Sequence, residues 1–246
     1  MKRSFLLALA AVFALQPLQA SSQVFNGTPY DVEYLRFIGG SGQGGGFGVQ
    51  VGPYLGSFRD GTGTPSTSRI GETLPFSLYC VDFLHSASNS NGLVNVTSLG
   101  GNLANTRLQD FSRYRKSAYL SSLFDSWQDH QVGSMAGFSK SQIWGGLHAA
   151  IWNIATGPLD LGSGDTATAR DYFLGLANGT PGTTYDTTGW YILSEADVSL
   201  SNSSSGQEFL MRVSVPEPTT VLLMLTGLVM LVGVNRKRLL GVVEQA

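Results

Sequence analysis

The chain holds one cysteine, Cys80, and three histidines, His85, His130 and His148, so nucleophilic or metal chemistry would have to be built from few side chains. A thiol beside an imidazole is the start of a cysteine nucleophile, with His148 lowering the thiol pKa and serving as base. Such a site also needs an oxyanion hole and an orienting group, and Asp82 is the nearby candidate for the latter. Cys80 and His148 with His85 as a third ligand would make a metal set, but at a spacing that is not diagnostic of one. Against these stands a plainer reading, because cysteines on apolar faces are usually inert. In that reading His148 packs between two tryptophans with its nitrogens hydrogen-bonded, and this is the favoured expectation. His130 sits in a polar turn and is expected at the surface. A single cysteine forms no intramolecular disulfide.

The elements that carry these residues can be read from periodicity. Leu74, Phe76, Leu78 and Cys80 share one face of a strand, which predicts an inward thiol. His148 lies on a helix that begins near Ser139. There Ser139 and Gln142 form a capping box, and Phe138 and Ile143 occupy the positions of a hydrophobic staple. Ile143, Leu147, Ala150, Ile151 and Ile154 make one apolar face, Trp144, His148 and Trp152 a second, and Gly157-Pro158 ends the helix. Two such stripes imply burial on two sides.

Around this pair, Asp31 to Ile38 reads as a strand. Gly39 to Gly48 reads as a flexible hairpin connection, since no helical pattern follows it as a phosphate-cradling loop requires. Phe47, Val49 and Val51 alternate as a strand that Pro53 and Gly56 should close. Residues 59 to 73 read as a polar loop and Asn89 to Leu99 as a turn-rich one. Gly100 to Arg107 lead into a helix with Leu120, Leu123, Phe124 and Trp127 at helical spacing. The carboxylates of Asp160-Leu-Gly-Ser-Gly-Asp165 faintly echo a calcium loop, but a helix-capping turn before Ala167 to Ala177 fits better. Trp190 to Leu193, Val198 to Leu200 and the alternating Phe209, Met211, Val213 and Val215 are the closing strands. The expected class is α+β, a β-rich surface domain with a helical insert between Cys80 and the last strands.

Tyr79-Cys80 on a strand, a middle helix around Tyr119-Leu120 and Ala149-Ala150-Ile151-Trp152 on a later helix together resemble the thioester-type domains of bacterial surface adhesins. The resemblance implies a cysteine joined to a glutamine four residues before the tryptophan. Here that position is His148, which has no acyl carbon, so the implied bond cannot form with it. Gln142 lies six residues earlier, roughly 9 Å along the axis, and its capping role accounts for it. The resemblance therefore implies a scaffold whose crosslink is lost.

Both ends of the chain read as addresses. Met1-Lys2-Arg3 and the apolar Phe5 to Leu15 form a secretory signal, with Ala20 before Ser21 as the cleavage point. At the other end stand Pro216-Glu217-Pro218, the uncharged run Thr219 to Val234, and Arg236-Lys237-Arg238. The run would span roughly 24 Å as a helix, slightly short of a bilayer core, and the basic cluster would remain cytoplasmic. This order of elements resembles the sorting tail of PEP-CTERM proteins. It implies an exosortase as partner, a membrane-anchored stage through the C-terminal helix, and cleavage near the motif. The expected domains are a signal peptide at 1–20, one extracytoplasmic β-rich domain at 21–214 and the sorting signal at 215–246.

A net charge of −2 and a charged fraction of 13% give no basic face for nucleic acid. No cofactor motif is present, and no enzyme, cofactor or metal is expected. The expected role is that of an exported, exosortase-processed envelope or biofilm-matrix protein, structural or adhesive, with extracellular polysaccharide or a surface protein as partner. Two other classes remain open. One is a Cys80-dependent enzyme or covalent adhesin, and the other a carbohydrate-binding module using Trp190 or Tyr191.

Overall fold

Six strands rich in alternating or continuous apolar residues pair antiparallel and close on themselves. They are β1 (Val32–Gly40), β4 (Tyr54–Arg59), β5 (Phe76–Cys80), β8 (Phe209–Arg212), β7 (Trp190–Glu195) and β6 (Gly92–Ser98), in that order around the barrel. A short hairpin of β2 (Gln43–Gly44) and β3 (Gln50–Val51) stands apart from it. The computed structural model describes residues 32–40, 43–44, 48–59, 76–85, 92–195 and 206–213, with position 226 in addition. All but the last belong to one unit, Ser22–Val213. The signal segment 1–20, Phe47, most of the 59–73 loop, Val198 to Leu200 and the tail motif Pro216, Glu217, Pro218, Arg236, Lys237 and Arg238 lie outside the described residues. No helix among the described residues is long and apolar enough to cross a membrane.

Strand register separates an inner from an outer face. Cys80 pairs with Phe209, Leu78 with Met211, and Leu35 with Phe58, so these side chains share one face. Phe37 of β1 stacks on Phe209 of β8 at 5.9 Å, and as these strands are not neighbours, the shared face must look across the lumen. Cys80 is thus inward, as its period-two position predicts. On β5, β7 and β8 the outer face is apolar too: Tyr79, Leu210, Ile192 and Trp190 are all buried. The segment between β6 and β7 covers that side, with Phe124 stacked on Tyr79 at 5.7 Å. The outer face of β1 and β4 instead exposes Arg36 and Leu55.

Between β6 and β7 lie the helices α1 (Phe111–Ser122), α2 (Lys140–Thr156), α3 (Asp165–Asn178) and the single turn α4 (Thr180–Thr183). Asp110 caps α1 by accepting from Ser112 N–H and Arg113 N–H. The capping box of Ser139 and Gln142 starts α2, and Gly157, at φ 101°, ends it. Trp144, Leu147, His148, Ile151 and Trp152 are all buried, so both stripes of α2 face protein.

Four expectations are corrected. Residues 92–98 form β6, which pairs with β1 and β7, where a turn-rich loop was expected; Val94, Val96 and Thr97 supply the β-branched side chains that a pleated surface favours. Pro53 stands between β3 and β4 and bounds the first as expected, a position where its missing N–H costs no ladder bond. Gly56 lies within β4 because a Cβ there would come 2.6 Å from Leu78 Cδ1. The expected strand through Val49 reduces to Gln50–Val51, since Gly48 at φ 79° and Gly52 at φ 107° turn the chain on either side. Finally, α1 stops at Ser122: Leu123 N–H and Phe124 N–H bond back three residues to Leu120 and Ser121 carbonyls, which carries Phe124 and Trp127 off the helix.

Helices α2 and α3 cross where Gly146 meets Ala169. A Cβ at 146 would fall 2.4 Å from Ala169 Cβ and 2.7 Å from Arg170 N, so the contact tolerates only glycine. Gly146→Ala is expected to destabilise the fold by about 1–3 kcal/mol through overpacking, despite alanine's better helix propensity of about 1 kcal/mol. Urea unfolding would show this as a lower midpoint; an unchanged or higher midpoint would mean the helices separate at no cost.

Candidate functional site

Strand β5 ends by delivering Cys80 against α2. The Cys80 thiol donates to the Asp82 carbonyl at 3.3 Å, and its sulfur accepts the indole N–H of Trp152 at 3.2 Å. The thiol is fully buried, and burial pushes its pKa well up, against the smaller downward pull of the Trp152 N–H. The pair Cys80 and Asp82 therefore meets through a backbone carbonyl, which favours the protonated thiol, and not through the Asp82 carboxylate.

His148 lies one helical turn before Trp152, and their rings stack in parallel at 4.9 Å and 1°. Its other close aromatic neighbour is Phe124, edge-on at 4.9 Å. The expected second tryptophan, Trp144, is turned away, with its indole N–H given to the Phe124 carbonyl at 3.0 Å. Gly52 N–H donates to His148 Nδ1 at 2.9 Å. That bond requires a lone pair on Nδ1, so in the neutral ring the proton sits on Nε2. Nε2 is buried and finds no partner among the described residues. Burial lowers the His148 pKa to about 3. No hydrogen bond joins Cys80 to His148 among the described residues. The imidazole has spent its one lone pair on Gly52, so it has none with which to take the thiol proton.

A second cluster, which the sequence reading missed, lies beside the first. Glu208, buried immediately before β8, accepts from Arg107 N–H at 2.9 Å, from the Tyr114 hydroxyl at 2.5 Å and from the Ser194 hydroxyl at 2.5 Å. Burial raises its pKa, while these three donors oppose the rise. The Arg107 side chain reaches Asp82 Oδ2 at 3.4 Å and donates to the Gly206 carbonyl at 2.8 Å. His85 Nδ1 lies 2.5 Å from Asp82 Oδ2, and Arg107 Nη1 lies 3.1 Å from His85 Nε2. The available signal was Glu208 itself, a carboxylate heading an otherwise apolar strand.

A pocket of about 290 Å³ opens next to both clusters. Phe37, Tyr54, Phe83 and Trp152 supply its aromatic lining, and Gln50, His85 and Gln207 its polar groups. Phe83 lies against Trp152 at 4.8 Å and Phe37 against Tyr54 at 5.4 Å. The Gln207 amide donates to the Asp82 carbonyl at 2.7 Å.

The remaining candidates have other occupations. Gln142 Oε1 takes the Ser139 N–H at 2.7 Å and its amide N–H bonds to Asp165 at 2.7 Å. In the Asp160 to Asp165 turn, Arg170 fills the cation's place: it donates to the Leu161 carbonyl at 2.8 Å and lies 3.5 Å from Asp160. That turn offers α3 no side-chain cap, because its N-cap is Gly164. Trp190 and Tyr191 are buried in β7, with Trp190 packed on Tyr79 at 5.8 Å, so neither offers an open face to a sugar. His130 is half-buried against Phe173 at 5.1 Å, not at the surface, and burial lowers its pKa. No group of three His, Cys, Asp or Glu side chains that could hold a metal ion occurs among the described residues. No protein-family model, curated protein or solved structure matches the chain.

The His148 environment sets a pH dependence. The unfolded imidazole titrates near about 6.5, and the folded one near about 3. Between these values the unfolded chain binds more protons, so His148 contributes stability above the unfolded pKa that is lost as pH falls, by up to about 1.4 kcal/mol per pH unit. Glu208, raised by burial, acts in the opposite sense. The effect is therefore isolated as the difference between the natural chain and His148→Phe, which keeps a ring on Trp152 but cannot titrate. Denaturant unfolding from pH 7 to 4 should show the natural chain losing more stability than the variant; parallel curves would contradict the assignment.

Cys80 should also resist alkylation. Iodoacetamide at neutral pH is expected to label it at the rate of unfolding, with acceleration in urea. Rapid labelling of the folded chain would reveal an accessible thiolate.

Proposed function

We propose that the protein is an exported, exosortase-processed component of the cell envelope or biofilm matrix, with a structural or adhesive role. The observation that carries this reading is the order of the tail: Pro216-Glu217-Pro218, an uncharged run of near-membrane length, and Arg236-Lys237-Arg238, paired with a basic-then-apolar segment at the opposite end. Pro218 disfavours helix at Glu217, as an extended peptide bound by a membrane protease requires. The apolar run and the basic stop hold the chain in the bilayer with its body outside while that happens. The signal peptide and the C-terminal helix are part of this proposal.

For the body, a structural or binding role is supported by the state of the reactive groups. Cys80 is enclosed and protonated, and His148 is neutral with its acceptor nitrogen occupied. In the thioester-type resemblance the electrophile is the side-chain amide at position 148, and an imidazole cannot supply it. The layout of cysteine strand and tryptophan helix then persists as a frame, held by the indole bond to sulfur.

The test is intact-mass measurement on protein recovered from fractionated cells of the source type. The expected species lacks both the first twenty or so residues and the tail after Pro216 to Pro218, is found in the envelope or medium, and shows no loss of the ~17 Da of ammonia that cysteine attack on an amide releases. Replacing Pro216 and Glu217 together by alanine should leave the tail attached and the chain in the membrane. Full-length, untrimmed protein in the cytosol would end the proposal.

A further inference from the structure

We infer that the end of the barrel formed by the 187–190 turn and the last residues of β6 and β8 is the surface on which the tail-cutting membrane protease docks. The inference rests on the sorting reading above and names the part of the body that takes part in it. β8 stays paired with β7 as far as Arg212 opposite Trp190, and the Val213 N–H is still bonded to the Gly189 carbonyl at 2.9 Å. Only Ser214 and Val215 separate this last anchored residue from Pro216. From Val213 to Pro216 a fully extended chain reaches at most about 11 Å, about the width of one helix. A membrane protein that encloses Pro216-Glu217-Pro218 in a cleft is wider than that, so it lies against the barrel end while it holds the motif.

The chain cannot lengthen this lead by giving up β8. Phe209, Leu210 and Met211 are buried, and each is paired on both sides, to β5 and to β7. Glu208, one residue earlier, accepts from Arg107, Tyr114 and Ser194. Withdrawing the strand would expose three apolar side chains and leave those buried donors unpaired. The enzyme therefore meets a folded surface, and that surface is preset. Asp186 accepts from the Thr188 N–H at 3.0 Å and from its hydroxyl at 2.7 Å. The Trp190 N–H bonds to the Thr187 carbonyl at 3.0 Å, and Gly189 makes the turn at φ 77°. The Leu99 N–H, bonded to the Trp190 carbonyl at 2.9 Å, brings exposed Gly100 to the same end. Docking on so fixed a turn orders no loop of the body.

The test follows tail removal by pulse-chase in cells of the source type that express the full chain. Thr188→Trp and Gly100→Trp add bulk at this end and should each slow cleavage about tenfold, the scale of one overpacked contact. A Cβ at Gly100 meets nothing within 4 Å, and melting curves check that both variants fold. Gly92→Trp, at the opposite end of β6 and with equal room for a Cβ, should be cut at the natural rate. A flexible spacer of about eight Gly and Ser residues inserted after Val213, about 16 Å in r.m.s. span, should return both slowed variants to the rate of the spacer-bearing natural chain. The inference is overturned if Thr188→Trp and Gly100→Trp are cut as fast as the natural chain, if Gly92→Trp is slowed as much as they are, or if the spacer leaves them slow. Each of those outcomes leaves the sorting reading standing, because the natural tail is still removed. A natural chain whose tail is never removed refutes the sorting reading, and this inference with it.

Discussion

The seating of Trp152 against the end of β5 is the constraint on which the arrangement of helices and barrel depends. One indole meets three different surfaces: its N–H is given to the Cys80 sulfur, one face is covered by His148, and an edge region carries Phe83. An indole N–H buried without an acceptor would cost about 1–3 kcal/mol, and a protonated thiol is among the few acceptors an apolar interior can hold without importing a charge. Cys80 thus serves the fold as a small polarizable group that satisfies a donor. The same contact sets the angular position of α2, which places His148 one turn earlier over Gly52 and so ties the helix to the turn after β3.

The second requirement is electrostatic. The segment from Arg107 to Tyr114 and the strands β7 and β8 are far apart in the chain, and Glu208 joins them through one carboxylate with donors from each. A buried carboxylate without partners would be strongly disfavoured, so the network is costly to form incompletely and specific when complete. It also fixes Arg107, whose guanidinium holds Asp82 beside the Cys80 strand. The two clusters are consequently one construction: Trp152 positions the helix on the sulfur, and Glu208 positions the chain that leads away from it.

What could be read from the sequence followed the range of the forces involved. The α2 capping box, its two buried stripes and its glycine end are encoded within a few residues of one another, and the structure reproduces them. Cys80's inward direction follows from period two and is equally local. β6 escaped because Asn, Gly and Ser surround Val94 and Val96, and only pairing with β1 and β7 turns that run into a strand. Gly56 was read as a stop because the sequence cannot show Leu78 pressing on it from the next strand. His148 was rightly placed in the interior against Trp152 of its own helix, but its other partners, Phe124 and Gly52, come from elsewhere. Glu208's network was invisible for the same reason, since two of its three donors lie 94 and 101 residues away.

A thiol nucleophile and a fixed indole make opposite demands on this region. The nucleophile needs a thiolate stabilised by positive charge or a free base and open to substrate. The indole is held by bonding to a neutral sulfur and stacking on a neutral imidazole. Burial drives both titratable groups toward their uncharged forms, the thiol upward and the imidazole downward, so each protonation state that suits the packing is the one that disables the nucleophile. The Gly52 N–H completes the choice by fixing the imidazole proton on Nε2. The same contacts that hold the indole in place therefore leave the Cys80 thiol and the His148 imidazole in their unreactive forms.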